Sequence, residues 1–199
     1  MKTVIMDTST VYLVVALYEQ DKCVQAMQKQ GQQRQSEEAI IILQALLKKQ
    51  GWHMLDIDEM IITLGPGSYT GVRVAMTIAK TLAVTTKIKM KAISSLLAYA
   101  GLSKAISIID ARSEKIFVGA FFQGKAVSAE EIIDIDTFAS FYAKYPGYVL
   151  IGDRSVPGFE IQKPCALYET IYQTAMLAPY VQMETLVPNY IKAVGVKPR

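Results

Sequence analysis

Short apolar runs separated by polar turns occur twice along the chain with the same spacing. The runs of the first set occupy residues 3–6, 12–18 and 22–28. When Asp7 is aligned with Asp110, an offset of 103 residues holds without a gap to Val24. Apolar runs bounded by turn residues are typical of β-strands, so each set predicts a three-stranded meander with an aspartate at its first bend. A unit built twice predicts two related lobes, with the two aspartates meeting at the cleft between them, where ligands prefer to bind.

Helices and further strands follow each meander. In the first half, helices are predicted over residues 36–49, with Ser36 as N-cap, and from the glycine-rich segment to about Thr86. The remaining predicted elements are strands over residues 59–64, 89–93 and 148–152 and helices over residues 94–100, 136–144 and 168–178. This order predicts an α/β fold of two mixed-sheet lobes, residues 1–100 and residues 101–199.

The two long helices of the first half are apolar on more than one face. In the first helix, one apolar stripe consists of Ile40, Leu43 and Leu47. Ile41 and Ala45 lie on another side of that helix, and Val74 and Thr77 lie opposite the core stripe of the second. A helix that is apolar on two faces needs two partners. A helix held between sheet and loop would explain one case, but two such helices favour a shared subunit interface.

Composition excludes several classes of protein. Half of the 199 residues are hydrophobic (51%) and 20% are charged, which is ample for folded cores and excludes wholesale disorder. The net charge of +3 does not predict nucleic-acid binding. Lys87, Lys89 and Lys91 alternate with apolar residues and predict a strand with one solvated face.

Cysteine and histidine are too few for a zinc site. Cys23 and Cys165 lie far apart, and His53 is the single histidine, so reduced structural cysteines are expected. The chain starts directly with a strand, and no apolar stretch is long enough to cross a bilayer. A soluble, cytoplasmic protein without membrane contact is expected.

A glycine-rich turn joins the strand at residues 59–64 to the second long helix. Gly65, Gly67 and Gly71 allow close backbone approach, and Ser68 is a suitable N-cap. The N–H groups at such a helix start can bind an anion. The spacing does not match a phosphate-binding P-loop or a nucleophile elbow, so a structural elbow is favoured over a catalytic Ser68.

The bends after the first strand of each meander carry the other candidate chemistry. Asp7, Thr8 and Ser9 could hold a hydrated metal and a phosphate, with Asp110 and Arg112 facing them across the cleft. In the alternative interpretation, both aspartates only hydrogen-bond their own turns, and Arg112 forms a structural salt bridge.

Four motifs taken together carry a family resemblance. They are DTST at residues 7–10, GPGSYTGVR at residues 65–73, ISSL at residues 93–96 and DAR at residues 110–112. They resemble the TsaB (YeaZ) family, bacterial subunits of the machinery that makes threonylcarbamoyladenosine (t6A) on tRNA.

The resemblance implies an actin/Hsp70-type (ASKHA) fold of two ribonuclease-H-like lobes and a subunit that is not the catalyst. It implies pairing with a TsaD-like catalytic subunit and a TsaE-like ATPase, a homodimer in isolation, and contact with tRNA only through the complex. The chain would need no cofactor of its own, because the complex uses ATP, magnesium and a metal held by the partner. The implied partner interface comprises Ser36, Ile41, Ala45, Tyr69, Thr70, Arg73, Val74 and Thr77. The possible vestigial nucleotide or metal site comprises Asp7, Thr8, Ser9, Asp110 and Arg112.

Three other functions remain as alternatives. The first is an ATP-dependent kinase or ATPase of the same fold that uses Asp7 and Asp110 with magnesium. The second is a peptidase, for which the sequence supplies neither a nucleophile–base pair nor a metal cluster. The third is a direct tRNA-binding module, which the small net charge disfavours.

Overall fold

Each half of the chain contributes one mixed β-sheet to the fold. The computed structural model describes residues 1–30 and 35–191, without the side chains of Gln35 and Ser36. The first sheet has the order β3-β2-β1-β4-β5 and the second β10-β6-β7-β8, with β9 also pairing with β7. The strands are β1 (Lys2–Asp7), β2 (Tyr12–Glu19), β3 (Lys22–Gln30), β4 (Glu59–Thr63), β5 (Lys89–Ile93), β6 (Ala105–Arg112), β7 (Lys115–Phe122), β8 (Lys125–Ala126), β9 (Glu131–Asp134) and β10 (Val149–Gly152). The helices are α1 (Gln35–Gln50), α2 (Tyr69–Thr85), α3 (Ser95–Ala100), α4 (Phe138–Tyr142) and α5 (Leu167–Met176).

The predicted repeat is present, but its two hairpins differ at the bend. Asp7 is the last residue of β1 to pair, with Val14, and residues 8–11 form an open turn before β2 begins at Tyr12. Asp110 pairs with Ile116, and a bulge follows before a tight turn at Ser113 and Glu114, both with positive φ. Two residues with positive φ are what a two-residue hairpin turn requires. The aspartates therefore occupy different local structures despite the ungapped alignment of the two sequences.

The second lobe keeps a shortened version of the first-lobe topology. Its third strand is reduced to β8, and β9, which the sequence pattern did not predict, pairs with β7 instead. In the first lobe, β5 pairs with β4. The corresponding pairing in the second lobe is a single parallel bridge from Ile151 of β10 to Gln162. Residues 153–161 form no helix, whereas the corresponding first-lobe connection contains α2.

Helices form three layers around the two sheets. The outer face of the first sheet packs against α1 and α2, and the outer face of the second packs against α4. Between the sheets, α3 packs on β6 and β7, while α5 packs on the strands of the first sheet. Helix α3 of the first half therefore packs on the second sheet, and α5 of the second half packs on the first sheet. The predicted boundary between residues 100 and 101 stays a prediction.

Most predicted helices and strands are confirmed within a few residues, with three corrections. Helix α1 begins at Gln35, so Ser36 lies in its first turn instead of capping it. Of the predicted stripe of Ile40, Leu43 and Leu47, Ile40 is 45% exposed, and the buried stripe instead includes Ala39 and Leu46. Lys91, predicted to be solvated, is buried, and its Nζ donates to the carbonyl oxygen of Ala175 at 3.0 Å. The predicted solvated face of β5 is therefore wrong at this position, because α5 covers it.

No described helix combines the length and the apolar character that crossing a membrane requires.

Candidate functional site

The glycine-rich elbow docks the start of α2 into the open turn that follows β1. Ser68 is the N-cap of α2, as predicted, and its Oγ accepts from the N–H of Gly71 at 3.2 Å. The N–H of Ser68 donates to the carbonyl oxygen of Ser9 at 2.6 Å, and Thr8 Oγ1 donates to the carbonyl oxygen of Gly71 at 2.6 Å. These contacts tie the helix start to the first sheet.

Gly67 and Gly71 permit this close approach because they have no side chain. A Cβ on Gly67 would collide with the carbonyl oxygen of Ser9, and a Cβ on Gly71 would collide with that of Thr8. Both obstacles are backbone atoms, which cannot move aside as a flexible side chain can. The elbow is thus a structural joint, and the N–H groups of Ser68, Gly71 and Val72 donate to acceptors of the chain itself.

Asp7 lies fully buried beneath this joint. Its Oδ1 accepts from the N–H of Ser9 at 2.7 Å, from Ser9 Oγ at 2.6 Å and from Thr63 Oγ1 at 2.6 Å. Its Oδ2 is buried without a hydrogen-bond partner among the described residues. Burial raises the pKa of this carboxyl above its usual value, although the hydrogen bonds from Ser9 and Thr63 oppose the shift.

The turn after β1 does not fit a nucleotide in this arrangement. The fold family implies a phosphate and a hydrated magnesium ion here, which need accessible N–H groups and carboxylate oxygens. Asp7, Thr8 and Ser9 are fully buried, and the elbow fills the space in front of them. Whether these residues are the remnant of a nucleotide site stays a prediction.

Asp110 occupies a different environment from Asp7. Its Oδ1 accepts from the N–H of Arg112 at 3.2 Å, and Arg154 lies 3.8 Å from the same oxygen. Its own N–H donates to Asp153 Oδ1 at 2.9 Å, and Tyr99 Oη donates to Asp153 Oδ2 at 2.8 Å. Burial raises the pKa of Asp153, with the charge of Asp110 acting in the same direction.

Whether the two aspartates meet at the cleft, as expected, stays a prediction. In the described ranges, no hydrogen bond joins Asp7 to Asp110. Tyr99 and Asp153 stand between the two turns, and Tyr99 also hydrogen-bonds Thr10. Sequence reasoning missed both residues, since Tyr99 lies in a short helix and Asp153 in a connection without a motif. The backbone N–H of Arg112 donates to Asp110, whereas the guanidinium that forms an ion pair with Asp110 belongs to Arg154.

The outer face of α1 and α2 contains an apolar concavity. A groove of about 720 Å³ lies between the two helices, bordered by the connection that carries Trp52 and His53. A second groove of about 460 Å³ lies next to it, around the start of α2. Ile40, Thr77 and Ile78 line both, so the two grooves form one continuous apolar surface.

The predicted interface residues lie on or beside this surface. Ile41 is 63% exposed and Tyr69 is 58% exposed, although both are large and apolar or aromatic. The side chain of Ser36 falls outside the part of the chain that is described. The other predicted residues are exposed or half-buried on the same two helices: Ala45, Thr70, Arg73, Val74 and Thr77. Contiguous exposed apolar surface of this kind marks interaction sites. Sequence reasoning missed Tyr190, which stacks on Tyr69.

The described residues contain no cluster of three or more His, Cys, Asp or Glu side chains that could hold a metal ion. His53, predicted to lie at the surface, is exposed in the connection after α1.

Comparison with known proteins identifies relatives of the chain. The family model described as TsaD, tRNA N6-adenosine threonylcarbamoyltransferase, matches residues 27–186. The tRNA threonylcarbamoyladenosine biosynthesis protein TsaB of Bacillus subtilis is 31% identical over 133 residues, covering 64% of this chain and 58% of that protein. The protein of the same name from Escherichia coli is 29% identical over 124 residues, covering 59% of this chain and 53% of that protein. The matched region thus spans just over half the length of these relatives.

Structural comparison supports the same relationship at the level of the fold. YeaZ from Pseudomonas aeruginosa superposes with a TM-score of 0.72 at 18% identity, covering 96% of this chain and 99% of that chain. The predicted α/β fold of two mixed-sheet lobes is confirmed, and it is the fold of that YeaZ structure. Since the family model covers most of the sequence, the predicted resemblance to TsaB (YeaZ) proteins is confirmed, and the chain belongs to the family described as TsaD, tRNA N6-adenosine threonylcarbamoyltransferase.

Proposed function

We propose that the chain is a non-catalytic, scaffold-type subunit in the biosynthesis of t6A on tRNA, acting in the cytoplasm. It pairs with the TsaD-like catalytic subunit through the outer face of α1 and α2. A TsaE-like ATPase joins the larger assembly, and tRNA is bound only through the complex. In the absence of the catalytic subunit, the same face pairs two copies of the chain.

One observation carries the proposal, namely the unpartnered outer face of α1 and α2. Ile41 and Tyr69 are more than half exposed, and the apolar grooves of about 720 and 460 Å³ run between the helices. Exposing such side chains to water is unfavourable by about 1.5–3 kcal/mol for each one that could be buried. A partner helix pair that covers this face would remove that cost.

The residues around the elbow favour a non-catalytic role for the chain over a catalytic one. His53 is the only histidine in the sequence and is exposed in the connection after α1, and it forms no hydrogen bond with Ser68 in the described part of the chain. The hydroxyl of Ser68 is used as a helix cap. In this proposal the chain brings no cofactor of its own, and ATP, magnesium and a metal belong to the partner subunits.

The positions of Asp7 and Asp110 argue against the kinase or ATPase alternative. It requires Asp7 and Asp110 to approach one magnesium ion, whereas Asp7 is buried beneath the elbow and Asp110 is held beside Asp153. Magnesium-dependent binding of ATP to the isolated chain would restore that alternative.

Reconstituted tRNA modification tests the proposal. The purified TsaD-like and TsaE-like proteins of the same genome are combined with tRNA, ATP and the threonylcarbamoyl donor, with and without this chain. We expect t6A to form only when the chain is present, and Val74→Asp to abolish its formation because a buried charge would face the partner. Ser103→Asp, an exposed site elsewhere, is the matched control and should leave the yield unchanged. Formation of t6A at an equal rate without the chain would overturn the proposal.

A further inference from the structure

The final described segment crosses the first lobe and ends at the start of α2. We refer to residues 180–191 as the strap. The N–H of Val181 donates to the carbonyl oxygen of Met90 at 2.9 Å, and Leu186 is buried in the first-lobe core. The N–H of Asn189 donates to the carbonyl oxygen of Leu64 at 2.8 Å, directly before the elbow. The strap is therefore fixed along its length, and its last residues have a defined position.

Tyr190 of the strap stacks on Tyr69, the first residue of α2. The ring centroids are 5.3 Å apart and the rings are inclined by 20°. Tyr190 is 51% exposed, so both rings still present surface to solvent. Arg73 Nη1 donates to Tyr69 Oη at 2.6 Å, and the guanidinium lies 5.2 Å from the centre of the same ring. The three side chains form one cluster, which we call the aromatic–arginine cluster.

This cluster borders the apolar groove around the start of α2. Tyr69 and Arg73 both line the groove of about 460 Å³, together with Ile40, Val74 and Thr77. Tyrosine and arginine are the residue types that most often dominate the binding energy of protein interfaces, especially next to apolar pockets. The cluster is thus continuous with the face to which the proposed function assigns the partner.

Arg73 carries a positive charge that no carboxylate among the described residues pairs with. Glu38, on the neighbouring helix, is paired with Lys29 at 2.9 Å. The tyrosine hydroxyl that accepts from Arg73 is neutral and leaves most guanidinium donors free. When an interface excludes water, such a cation needs a carboxylate from the other side, because a buried unpaired charge is strongly unfavourable.

We propose that the aromatic–arginine cluster is an anchor of the partner-binding face and that the partner presents a carboxylate to Arg73. The carboxylate lies on a helix whose neighbouring apolar side chains enter the groove beside it. Tyr190 is a positioning residue, since it holds Tyr69 and through it the guanidinium. Asn189, whose Nδ2 donates to Glu130 Oε2 at 2.9 Å, fixes the strap to the second lobe. This inference rests on the proposed function and adds the chemistry that the partner must supply.

Calorimetric titration of the TsaD-like partner with variants of the chain tests the proposal. For Arg73→Gln we expect a dissociation constant about tenfold higher than that of the wild type, and a larger increase for Arg73→Glu. Arg73→Lys should fall between the wild type and Arg73→Gln, because it keeps the charge but loses the planar fork of donors. Lys87→Glu makes the same charge change at an exposed site beyond the end of α2. As the matched control, it should change the constant by less than about threefold.

The strap is tested with Tyr190→Phe and Tyr190→Leu. The phenylalanine variant keeps the stack and should bind like the wild type, whereas the leucine variant keeps apolar area without the stack and should bind about fivefold more weakly. Increasing salt should weaken binding of the wild type more than that of Arg73→Gln, because only the former has the ion pair to screen.

Equal binding by Arg73→Gln and Arg73→Glu, both within about twofold of the wild type, would overturn the inference. A change confined to self-association of the chain, with partner binding unaffected, would overturn it as well. In either case a loss of binding by Val74→Asp would leave the proposed function standing. If Val74→Asp also binds normally, the proposed function itself fails.

Discussion

The joint between the elbow and the first sheet can be tested by adding one methyl group at Gly71. In the wild type, the backbone of Gly71 lies directly against the carbonyl oxygen of Thr8, and a Cβ at this position would overlap that oxygen. The substitution Gly71→Ala therefore forces α2 and the turn after β1 apart. Two short hydrogen bonds are then strained, from Thr8 Oγ1 to the Gly71 carbonyl and from the Ser68 N–H to the Ser9 carbonyl, each 2.6 Å long.

The expected change in the free energy of unfolding caused by Gly71→Ala is the sum of opposing effects. Alanine favours a helix over glycine by about 1 kcal/mol, which would stabilise the variant. Overpacking a tight backbone contact costs about 1–3 kcal/mol. Disrupting two buried hydrogen bonds costs about 1 kcal/mol each. The steric and hydrogen-bond costs outweigh the helix preference, so we expect Gly71→Ala to lower the free energy of unfolding by about 2–4 kcal/mol.

Urea denaturation followed by fluorescence measures this change. Trp52 is the only tryptophan and packs against the first-lobe core, so its emission reports unfolding of this lobe. With a urea dependence of 2–3 kcal/mol per molar, typical of larger domains, the midpoint should fall by about 1 M. Thr81→Ala, on an exposed position of the same helix, is the control and should change the free energy of unfolding by less than about 0.5 kcal/mol. An unchanged midpoint for Gly71→Ala would refute the close approach and the structural role of the elbow.

Three further predictions concern single side chains. Because burial raises the pKa of Asp7 above 3.8, its proton is bound more tightly in the folded state, and wild-type stability falls as pH rises from that value through the folded pKa. Asp7→Asn does not titrate and should not lose stability in this way. Its free energy of unfolding relative to the wild type should therefore increase from pH 4 to pH 7 in urea titrations. A decrease over that range would contradict the raised pKa of Asp7. Leu43→Ala, in the core, should lower the free energy of unfolding by about 2–4 kcal/mol, whereas Ile41→Ala, on the outer face, should change it by less than about 0.5 kcal/mol while weakening partner binding. Lys91→Met keeps the buried stem and loses the contacts of the ammonium with the carbonyl of Ala175 and with the ring of Tyr180, so it should lower the free energy of unfolding by less than about 2 kcal/mol. A loss above about 3 kcal/mol in the same assay would mean that the charge is essential.

The sequence predicted those parts of the fold that depend on local pattern. The apolar runs of the first meander, the Ser68 cap and the strand β5 are fixed by turn chemistry and periodicity, which act over a few residues. The duplicated fold followed from the alignment of Asp7 with Asp110, because related strands keep their order even when the lobes diverge.

Other features depend on contacts between distant parts of the chain and left no local signal. Lys91 has the polar side chain of a solvated position, but α5 from the other end of the chain covers it. The two-residue turn after Asp110 changes the strand pairing by one residue, which an ungapped alignment cannot express.

The candidate interface was predictable only in part, because helical periodicity detects some of its residues and not others. Ile41 and Val74 stand out because they place apolar side chains on a second helix face, and periodicity detects this. Tyr190 carries no such pattern, since it joins the cluster only when the strap crosses the first lobe and brings it to Tyr69.

Light scattering coupled to size-exclusion chromatography, applied to an equimolar mixture of this chain and the TsaD-like protein of the same genome, tests the central claim most directly. The account predicts a single species with the mass of one copy of each subunit, and its loss when Val74→Asp is introduced. Separate elution of the two proteins, or a complex that tolerates Val74→Asp unchanged, would contradict the claim that the outer face of α1 and α2 binds the catalytic subunit.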